Sequence, residues 1–152
     1  MSVCFLGNTN VGKTHIINTL LYPLLDYTPI VTIGVNFYTY SYRLINKSVK
    51  IKLFDVSANK SLKFLYKNII DYVDFSIIVV DLDNLDSINY YIELIKNNKY
   101  HILFNSHLDK TDNSNIINRL KNKYKGKISL IDSYNTLDVR NKLELIFKKM
   151  IN

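Results

Sequence analysis

Six segments of this chain have the composition of strands. They are Val3–Leu6, Phe37–Leu44, Val49–Val56, Phe75–Leu82, Tyr100–Phe104 and Lys127–Ile131. The second and third alternate between apolar and polar residues and are separated by Asn46 and Lys47, a pattern that predicts an antiparallel hairpin. The fourth is the most continuously apolar, which is typical of a central strand that is buried on both faces.

Segments with apolar residues at helical spacing lie between most of these strands. They are the stretch that contains Ile16–Leu24, then Leu62–Val73, Ser87–Lys96, Asn115–Tyr124 and Leu137–Ile151. The first is expected to pack Ile16, Ile17, Leu20, Leu21 and Leu24 on its inward face. This alternation predicts an α/β fold, in which a mostly parallel six-stranded sheet with one antiparallel edge strand carries helices on both faces.

A phosphate-binding motif connects the first predicted strand to the first predicted helix. Gly7-Asn8-Thr9-Asn10-Val11-Gly12-Lys13-Thr14 matches the pattern G-x-x-x-x-G-K-[ST]. The two glycines allow a backbone path in which successive N–H groups point at an anion, and the following helix adds the positive end of its dipole. We expect Lys13 to reach the terminal phosphates of a nucleotide and the Thr14 hydroxyl to bind Mg²⁺. The alternative, a glycine turn that precedes Lys13-Thr14 by chance, is disfavoured by the strand–loop–helix context.

Composition narrows the class of protein. The 152 residues have the size of one domain, expected to span 1–152, and the apolar share of 47% is ordinary for a folded chain. A single cysteine, Cys4, favours a reducing compartment, and we expect a cytoplasmic protein with neither a signal peptide nor a lipid anchor. The net charge of +7 comes mainly from lysine. Lysine, isoleucine, asparagine and tyrosine all have AT-rich codons. The charge therefore predicts no specific nucleic-acid partner, and the bias suits a parasite or a large DNA virus.

Two further segments resemble the switch regions of Ras-superfamily GTPases. Leu53-Phe54-Asp55-Val56-Ser57-Ala58-Asn59 is similar to switch II, and Thr32-Ile33-Gly34-Val35-Asn36-Phe37 is similar to switch I of the Rab branch. The spacings from Lys13 to Thr32 and from Thr32 to Asp55 agree with that branch. The resemblance extends from the first strand to the last helix. It implies a small GTPase with the Ras-like P-loop NTPase fold, which binds GTP or GDP with Mg²⁺.

The resemblance also implies roles by position. The residues expected to bind nucleotide are Asn8, Asn10, Val11, Gly12, Lys13, Thr14, His15, Thr32, Ala58, Asp109, Ser133 and Tyr134, and those expected at Mg²⁺ are Thr14, Thr32 and Asp55. Asp109 would accept hydrogen bonds from the guanine base, and Asp55 would hold the ion through a water. A local cap is the alternative role for each of these two carboxylates, and the residues alone leave it open.

The sequence departs from the family pattern at positions that would take part in hydrolysis and in recognition of the base. Ala58 and Asn59 replace the Gly-Gln pair of switch II, and Asn59, the candidate catalytic residue, is one methylene shorter than the glutamine that orients water. Because a placement error of about 1 Å can lower a rate on the order of a hundredfold, we expect weak or absent hydrolysis. The base motif Asn-Lys-x-Asp becomes Ser106-His107-Leu108-Asp109, with Asn105 one place early. Guanine specificity is therefore less firmly predicted than phosphate binding.

Two functions of different classes follow from this mixture. One is a nucleotide-controlled switch that binds effectors or regulators through Thr32–Phe37, Phe54 and Asn59–Val73. The other is a catalytically dead pseudo-GTPase that acts as an interaction module or Rab mimic, for which Phe37 and Phe54 are either partner contacts or packing residues. An ATP-using P-loop enzyme is a weaker third possibility. In each case we expect a monomer with at most peripheral membrane contact, and we interpret the lysine-rich stretch 119–127 as a solvated helix face.

Overall fold

The computed structural model describes residues 1–25, 28, 30–95, 99–106 and 114–151, apart from the side chains of Lys60, Lys63 and Ser114. Its strands are β1 (Ser2–Leu6), β2 (Val35–Arg43), β3 (Ser48–Val56), β4 (Phe75–Val80), β5 (Lys99–Asn105) and β6 (Ile128–Ile131). They form one six-stranded sheet in the order β2-β3-β1-β4-β5-β6. Only the β2–β3 pair is antiparallel among these described strands. The predicted edge hairpin is therefore confirmed.

The helices lie on both faces of this sheet, as predicted. They are α1 (Lys13–Leu21), α2 (Lys63–Tyr72), α3 (Ser87–Ile95), α4 (Ser114–Lys123) and α5 (Thr136–Ile151), with short 3₁₀ helices at Lys60–Leu62 and Leu82–Asn84. None of the helices in the described part of the chain is long and apolar enough to cross a membrane.

Alternate residues of the buried strands supply two separate cores. In β1, Val3 and Phe5 pack with α1 and α5, where Phe147 is fully buried. Cys4 and Leu6 point to the other face and pack with α2, α3 and α4. The central strands are apolar on both faces because each face is covered by helices, which explains their continuous apolar runs.

The parallel strands bring a set of loops to one edge of the sheet. The carboxyl ends of β1, β3, β4, β5 and β6 share this edge, which we call the site edge. The loops that leave it include the phosphate loop after β1, Ser57–Asn59 after β3 and Ser133–Tyr134 after β6. Ligands of open parallel sheets bind at this edge.

Two of the sequence predictions were wrong at element ends. Leu24 does not pack inward but is 97% exposed. The cause is that α1 ends at Leu21, since Pro23 cannot supply the N–H that another helical turn needs. The predicted strand Phe75–Leu82 ends at Val80, and Leu82 instead begins a 3₁₀ helix.

Candidate functional site

The phosphate loop depends on two glycines for its path. Gly7 has a φ of 146°, and a Cβ there would lie 2.2 Å from the backbone oxygen of Val79. Gly12 has a φ of 95°, and a Cβ there would lie 2.6 Å from Nδ2 of Asn105. Gly12 is also the N-cap of α1, so this helix begins without a side-chain cap and without an acidic residue in its first turn. A helix N-terminus of this kind favours an anion.

Lys13 lies beneath this loop rather than in solvent. Its Nζ donates hydrogen bonds to the backbone oxygens of Gly7 at 2.9 Å and Asn8 at 2.8 Å. Burial lowers the pKa of Lys13 from 10.5 to about 8, and the nearby charge of Asp55 opposes part of that shift. A desolvated ammonium with few compensating charges attracts a phosphate strongly, because the low dielectric strengthens the interaction.

Three oxygen-bearing side chains from different parts of the chain meet beside the loop. Thr14 Oγ1 donates a hydrogen bond to Asp55 Oδ2 at 2.6 Å, and Thr32 Oγ1 donates to the same oxygen at 3.1 Å. The two hydroxyl oxygens are 2.9 Å apart. These are the three residues predicted for Mg²⁺, and the fold brings all of them together.

The chemistry of this cluster fits a hard divalent cation. Asp55 is fully buried, and its Oδ1 has no hydrogen-bond partner among the residues that the structure describes. A buried carboxylate oxygen without a partner is costly, and a cation next to it would offset that cost. One carboxylate with two hydroxyls is a donor set that suits Mg²⁺, which binds few protein oxygens and keeps several waters.

A cavity of about 840 Å³ adjoins this cluster. This volume lies within the usual range for ligand pockets, roughly 300–1,000 Å³. The lining residues are Thr9, Asn10, Gly12, Lys13, Thr14, His15, Ile30, Val31, Thr32, Ile33, Ser57, Ala58, Asn59, Ser133 and Tyr134. Most of the residues predicted to bind nucleotide are among them. Sequence reasoning missed Ile30, Val31 and Ile33, whose apolar side chains carry no chemical signature of their own.

Two predicted nucleotide-binding residues point their side chains elsewhere. Val11 is fully buried in the core. The side chain of Asn8 donates to Asn84 Oδ1 at 2.7 Å and accepts from the hydroxyl of Tyr91 at 3.1 Å. These contacts fasten the phosphate loop to the 3₁₀ helix Leu82–Asn84 and to α3. For both residues, only the backbone remains available to a phosphate.

Asn59, the candidate catalytic residue, makes hydrogen bonds to residues close to it in the chain. Its Oδ1 accepts a hydrogen bond from the backbone N–H of Ser61 at 3.0 Å, which begins the 3₁₀ helix Lys60–Leu62. Its backbone oxygen accepts from the Tyr66 hydroxyl at 2.8 Å. The side-chain oxygen that would orient a water is therefore engaged in capping, although Ala58 and Asn59 both line the cavity.

The far end of the cavity carries an aromatic pair. The rings of His15 and Tyr134 lie 4.7 Å apart at an angle of 45°. Next to them Ser133 is buried, and its hydroxyl has no hydrogen-bond partner within the described ranges. Asp109, predicted to bind the base, and His107 lie outside the described residues.

Asn105 joins three parts of the site that are far apart in sequence. At the end of β5, its Nδ2 donates to the backbone oxygen of Val11 at 3.0 Å, and its Oδ1 accepts from the backbone N–H of Ser133 at 3.3 Å. In the predicted base motif, Ser106 takes the place of the asparagine and Asn105 lies one place early. The hydrogen bonds show that Asn105, which ends β5, connects these loops, a role that sequence reasoning missed. An asparagine that directly follows the apolar run Ile102-Leu103-Phe104 was the available signal.

One comparison decides the family. A family model described as "Ras of Complex, Roc, domain of DAPkinase" matches residues 2–112. The match covers most of the chain and includes the phosphate loop, Thr32 and Asp55.

The chain belongs to the Roc family of Ras-like GTPase domains. Membership explains why this Roc-family chain has a phosphate loop on a Ras-like sheet, and it makes the protein a GTP-binding small GTPase. The predictions of a Ras-superfamily domain and of a guanine-nucleotide ligand are thereby confirmed. The model that matches is Roc, so the likeness of Thr32–Phe37 to the Rab branch stays a prediction.

Proposed function

We propose that this Roc-family domain is a nucleotide-controlled switch that binds GTP or GDP together with Mg²⁺ and hydrolyses GTP slowly. The observation that carries the proposal is the meeting of Thr14, Thr32 and Asp55 at one carboxylate oxygen. This junction connects α1, the segment before β2 and the end of β3. A ligand that changes it therefore acts on all three elements.

Each residue has a distinct part in this switch. Lys13 and the start of α1 would hold the terminal phosphates, while Thr14 and Thr32 would offer hydroxyl oxygens to Mg²⁺ and Asp55 a carboxylate, directly or through a water. Mg²⁺ bound there would supply the charge that neutralises these phosphates. Thr32 is the movable member, because its neighbours Val31 and Ile33 are exposed. Loss of the γ-phosphate would release Thr32 and the backbone around it.

Slow hydrolysis follows from the loop after β3. The side-chain oxygen of Asn59 already accepts a hydrogen bond from the backbone N–H of Ser61. Ala58 places a methyl group where family members have glycine. Neither arrangement leaves a well-placed group to orient an attacking water. We expect Ala58→Gly together with Asn59→Gln to raise single-turnover GTP hydrolysis about a hundredfold. An unchanged rate, with nucleotide still bound, would contradict this explanation.

We further propose that effectors bind a Rab-like aromatic patch, Phe37, Phe54 and Tyr72. Phe37 is 68% exposed and meets the edge of Phe54 at 5.0 Å, and Phe54 lies 5.8 Å from Tyr72. Phe54 is buried and so has the packing role that was the alternative, whereas Phe37 is free of that constraint. The patch lies within Thr32–Phe37, Phe54 and Asn59–Val73, and Thr32 connects it to the nucleotide.

A second candidate is a pseudo-GTPase that binds partners in one permanent state. The capping role of Asn59 favours it, because a residue committed to local structure is not available for turnover. The two candidates differ in whether partner binding depends on the nucleotide. The same aromatic patch would serve both.

The first experiment identifies the nucleotide that the purified protein carries. The protein is denatured, and the released nucleotide is separated by chromatography, with Lys13→Ala as the test variant and Lys142→Ala as a matched control on α5. Near-stoichiometric GDP or GTP that is lost only in Lys13→Ala would support the proposal, and an excess of GTP would support slow hydrolysis. No nucleotide, and no uptake from added GTP and Mg²⁺, would favour the interaction module.

A further inference from the structure

The edge of the sheet opposite the candidate site gathers cations from distant parts of the chain. The amino ends of the parallel strands lie there, and α4 and α5 end there because each helix runs back against the strands. We call this edge the basic end and define it as the turn 43–47, Lys99, the segment 121–127 and Lys148–Lys149. We propose that the basic end docks on a membrane surface that carries acidic phospholipid head groups, with the nucleotide site facing away from the membrane. This inference does not depend on the proposed function.

The β2–β3 turn extends beyond the rest of the basic end. Ser2, the first residue of β1, pairs with Lys52 of the parallel strand β3. Because β3 begins at Ser48, it extends four residues beyond the start of β1 at this end of the sheet. At roughly 3.3 Å per residue, the turn projects on the order of 13 Å past that strand. Ile45 at its tip is fully exposed and lies between Arg43 and Lys47. An aliphatic side chain between two cations is suited to the boundary between head groups and acyl chains.

The lysines of the 121–127 segment and of α5 are available for an external partner. Lys121, Lys123, Lys125 and Lys127 are all exposed. Within the described residues, no carboxylate lies in ion-pair distance of them, since the ion pair found there joins Arg140 to Glu144. Lys148 and Lys149 occupy the exposed last turn of α5.

The α5 cations lie on the same end as the β5 cations. The charge of Lys149 acts on His101, near the start of β5, where burial is the main cause that lowers the pKa of this imidazole to about 4. Lys127 lies over the ring of Tyr100, the second residue of β5, at 4.7 Å. Cations from α5 and from the segment after α4 therefore lie close to successive residues at the start of β5.

Few carboxylates lie at the basic end in the described residues, and one of them already accepts hydrogen bonds within the protein. Those in the described residues are Asp71, Asp74 and Glu93, and Asp74 accepts two hydrogen bonds from Ser2. At the site edge the balance is reversed, with Asp81, Asp83, Asp86, Asp132 and Asp138 close to the strand ends. The domain is therefore electrically polar along the strands. An anionic surface would orient it with the basic end inward and the nucleotide site outward.

The structure favours a membrane over a nucleic acid as the partner. Single-stranded nucleic acids stack their bases on open aromatic rings between cations. Here Lys127 covers Tyr100, and Tyr124 is buried. Tyr72, an exposed ring at the end of α2, packs at a tilt against Phe54. The side chain at the projecting turn is the aliphatic Ile45, which cannot stack with a base but can enter the apolar layer of a membrane surface.

Vesicle sedimentation tests the charge component. We expect the protein to bind phosphatidylcholine vesicles that contain phosphatidylserine, to ignore pure phosphatidylcholine, and to be released by salt. Lys121→Gln with Lys125→Gln should lower the partition coefficient about 25-fold, at about fivefold per lysine. The control, Arg140→Gln with Lys142→Gln, removes the same charge from the first half of α5 and should change binding less than about twofold. Circular dichroism checks that both variants are folded.

Tryptophan fluorescence tests the orientation, because the chain contains no tryptophan. Ile45→Trp places a probe at the tip of the basic end, and Leu137→Trp replaces a side chain that is 72% exposed near the site edge. Acidic vesicles should shift the emission of the first variant to the blue and leave that of the second unchanged. Equal losses in both double variants, a blue shift at position 137, or binding to a short RNA without a preference for acidic vesicles would each overturn the proposal.

Discussion

At the scale of single residues, the two glycines at positions 7 and 34 have the same backbone requirement but different surroundings. Both have a positive φ, yet a Cβ at Gly7 would meet the Val79 oxygen at 2.2 Å, whereas a Cβ at Gly34 would meet nothing within 4 Å. We expect Gly34→Ala to cost about 1 kcal/mol of unfolding free energy, from backbone strain alone. Gly7→Ala should cost on the order of 3 kcal/mol or more, because backbone must move. Urea denaturation of both variants measures the difference, and equal costs would contradict this view.

Lys13 is a buried charge that lowers the stability of the ligand-free fold. Its pKa is about 8 in the folded chain against an ordinary value of 10.5, so the unfolded chain binds more protons between these pH values. Stability should therefore rise as pH increases from 8 to 10.5, and below pH 8 the full cost remains, on the order of 3 kcal/mol. Lys13→Met removes that cost but also removes the bonds to Gly7 and Asn8.

We therefore expect ligand-free Lys13→Met to be more stable than the unmodified protein by roughly 1–3 kcal/mol at pH 7, and to lose nucleotide binding. Urea denaturation at pH 7 and pH 10 measures the gain, which should shrink at the higher pH. A gain that is the same at both pH values would show that desolvation of the ammonium is not its cause.

At the scale of elements, Asn105 makes the ends of β1, β5 and β6 act together. Asn105→Ala leaves the Val11 oxygen and the Ser133 N–H without their partner in a buried region. We expect a loss of about 2–4 kcal/mol of stability and faster release of nucleotide. The neighbour Ser106, whose hydroxyl makes a longer bond of 3.3 Å to the Ile131 oxygen, is the control. If Ser106→Ala released nucleotide as fast as Asn105→Ala, the bridge would not be the reason.

The helices and strands also show which features a local sequence pattern can predict. Tyr38, Tyr40 and Tyr42 share the inward face of β2, in agreement with the predicted alternation, because a period of two is a property of the strand itself. The ends of elements were less accurate, as Leu24 and Leu82 show, because an end depends on capping and on the next contact. The bridging role of Asn105 was not predicted for the same reason, because it depends on two loops that only the sheet brings near this residue.

At the scale of the whole molecule, two cores share one sheet, so both ends of the domain should unfold together. The single-tryptophan variants Ile45→Trp and Leu137→Trp report on opposite ends. We expect one common melting temperature, raised at both positions by GTP with Mg²⁺. At a ligand concentration of 100 times Kd the gain is about 2.7 kcal/mol, or roughly 5–11 °C. A rise at position 137 alone would show that the nucleotide stabilises only the site edge.

The amino-acid sequence by itself determined the strand and helix pattern, the phosphate loop and the candidate residues for Mg²⁺, because each depends on local spacing and residue type. Only the tertiary structure decided that Thr14, Thr32 and Asp55, separated by up to 41 residues, share one carboxylate oxygen. It likewise decided that Asn105 connects the phosphate loop to the loop after β6, and that the side chain of Asn59 caps the 3₁₀ helix Lys60–Leu62. The lysine-rich stretch 119–127 appeared in isolation as a solvated helix face. The fold places its Lys127 over Tyr100 of β5 and brings it to the end of the sheet where Lys99 and the last turn of α5 also lie, so that cations remote in sequence share one end of the molecule.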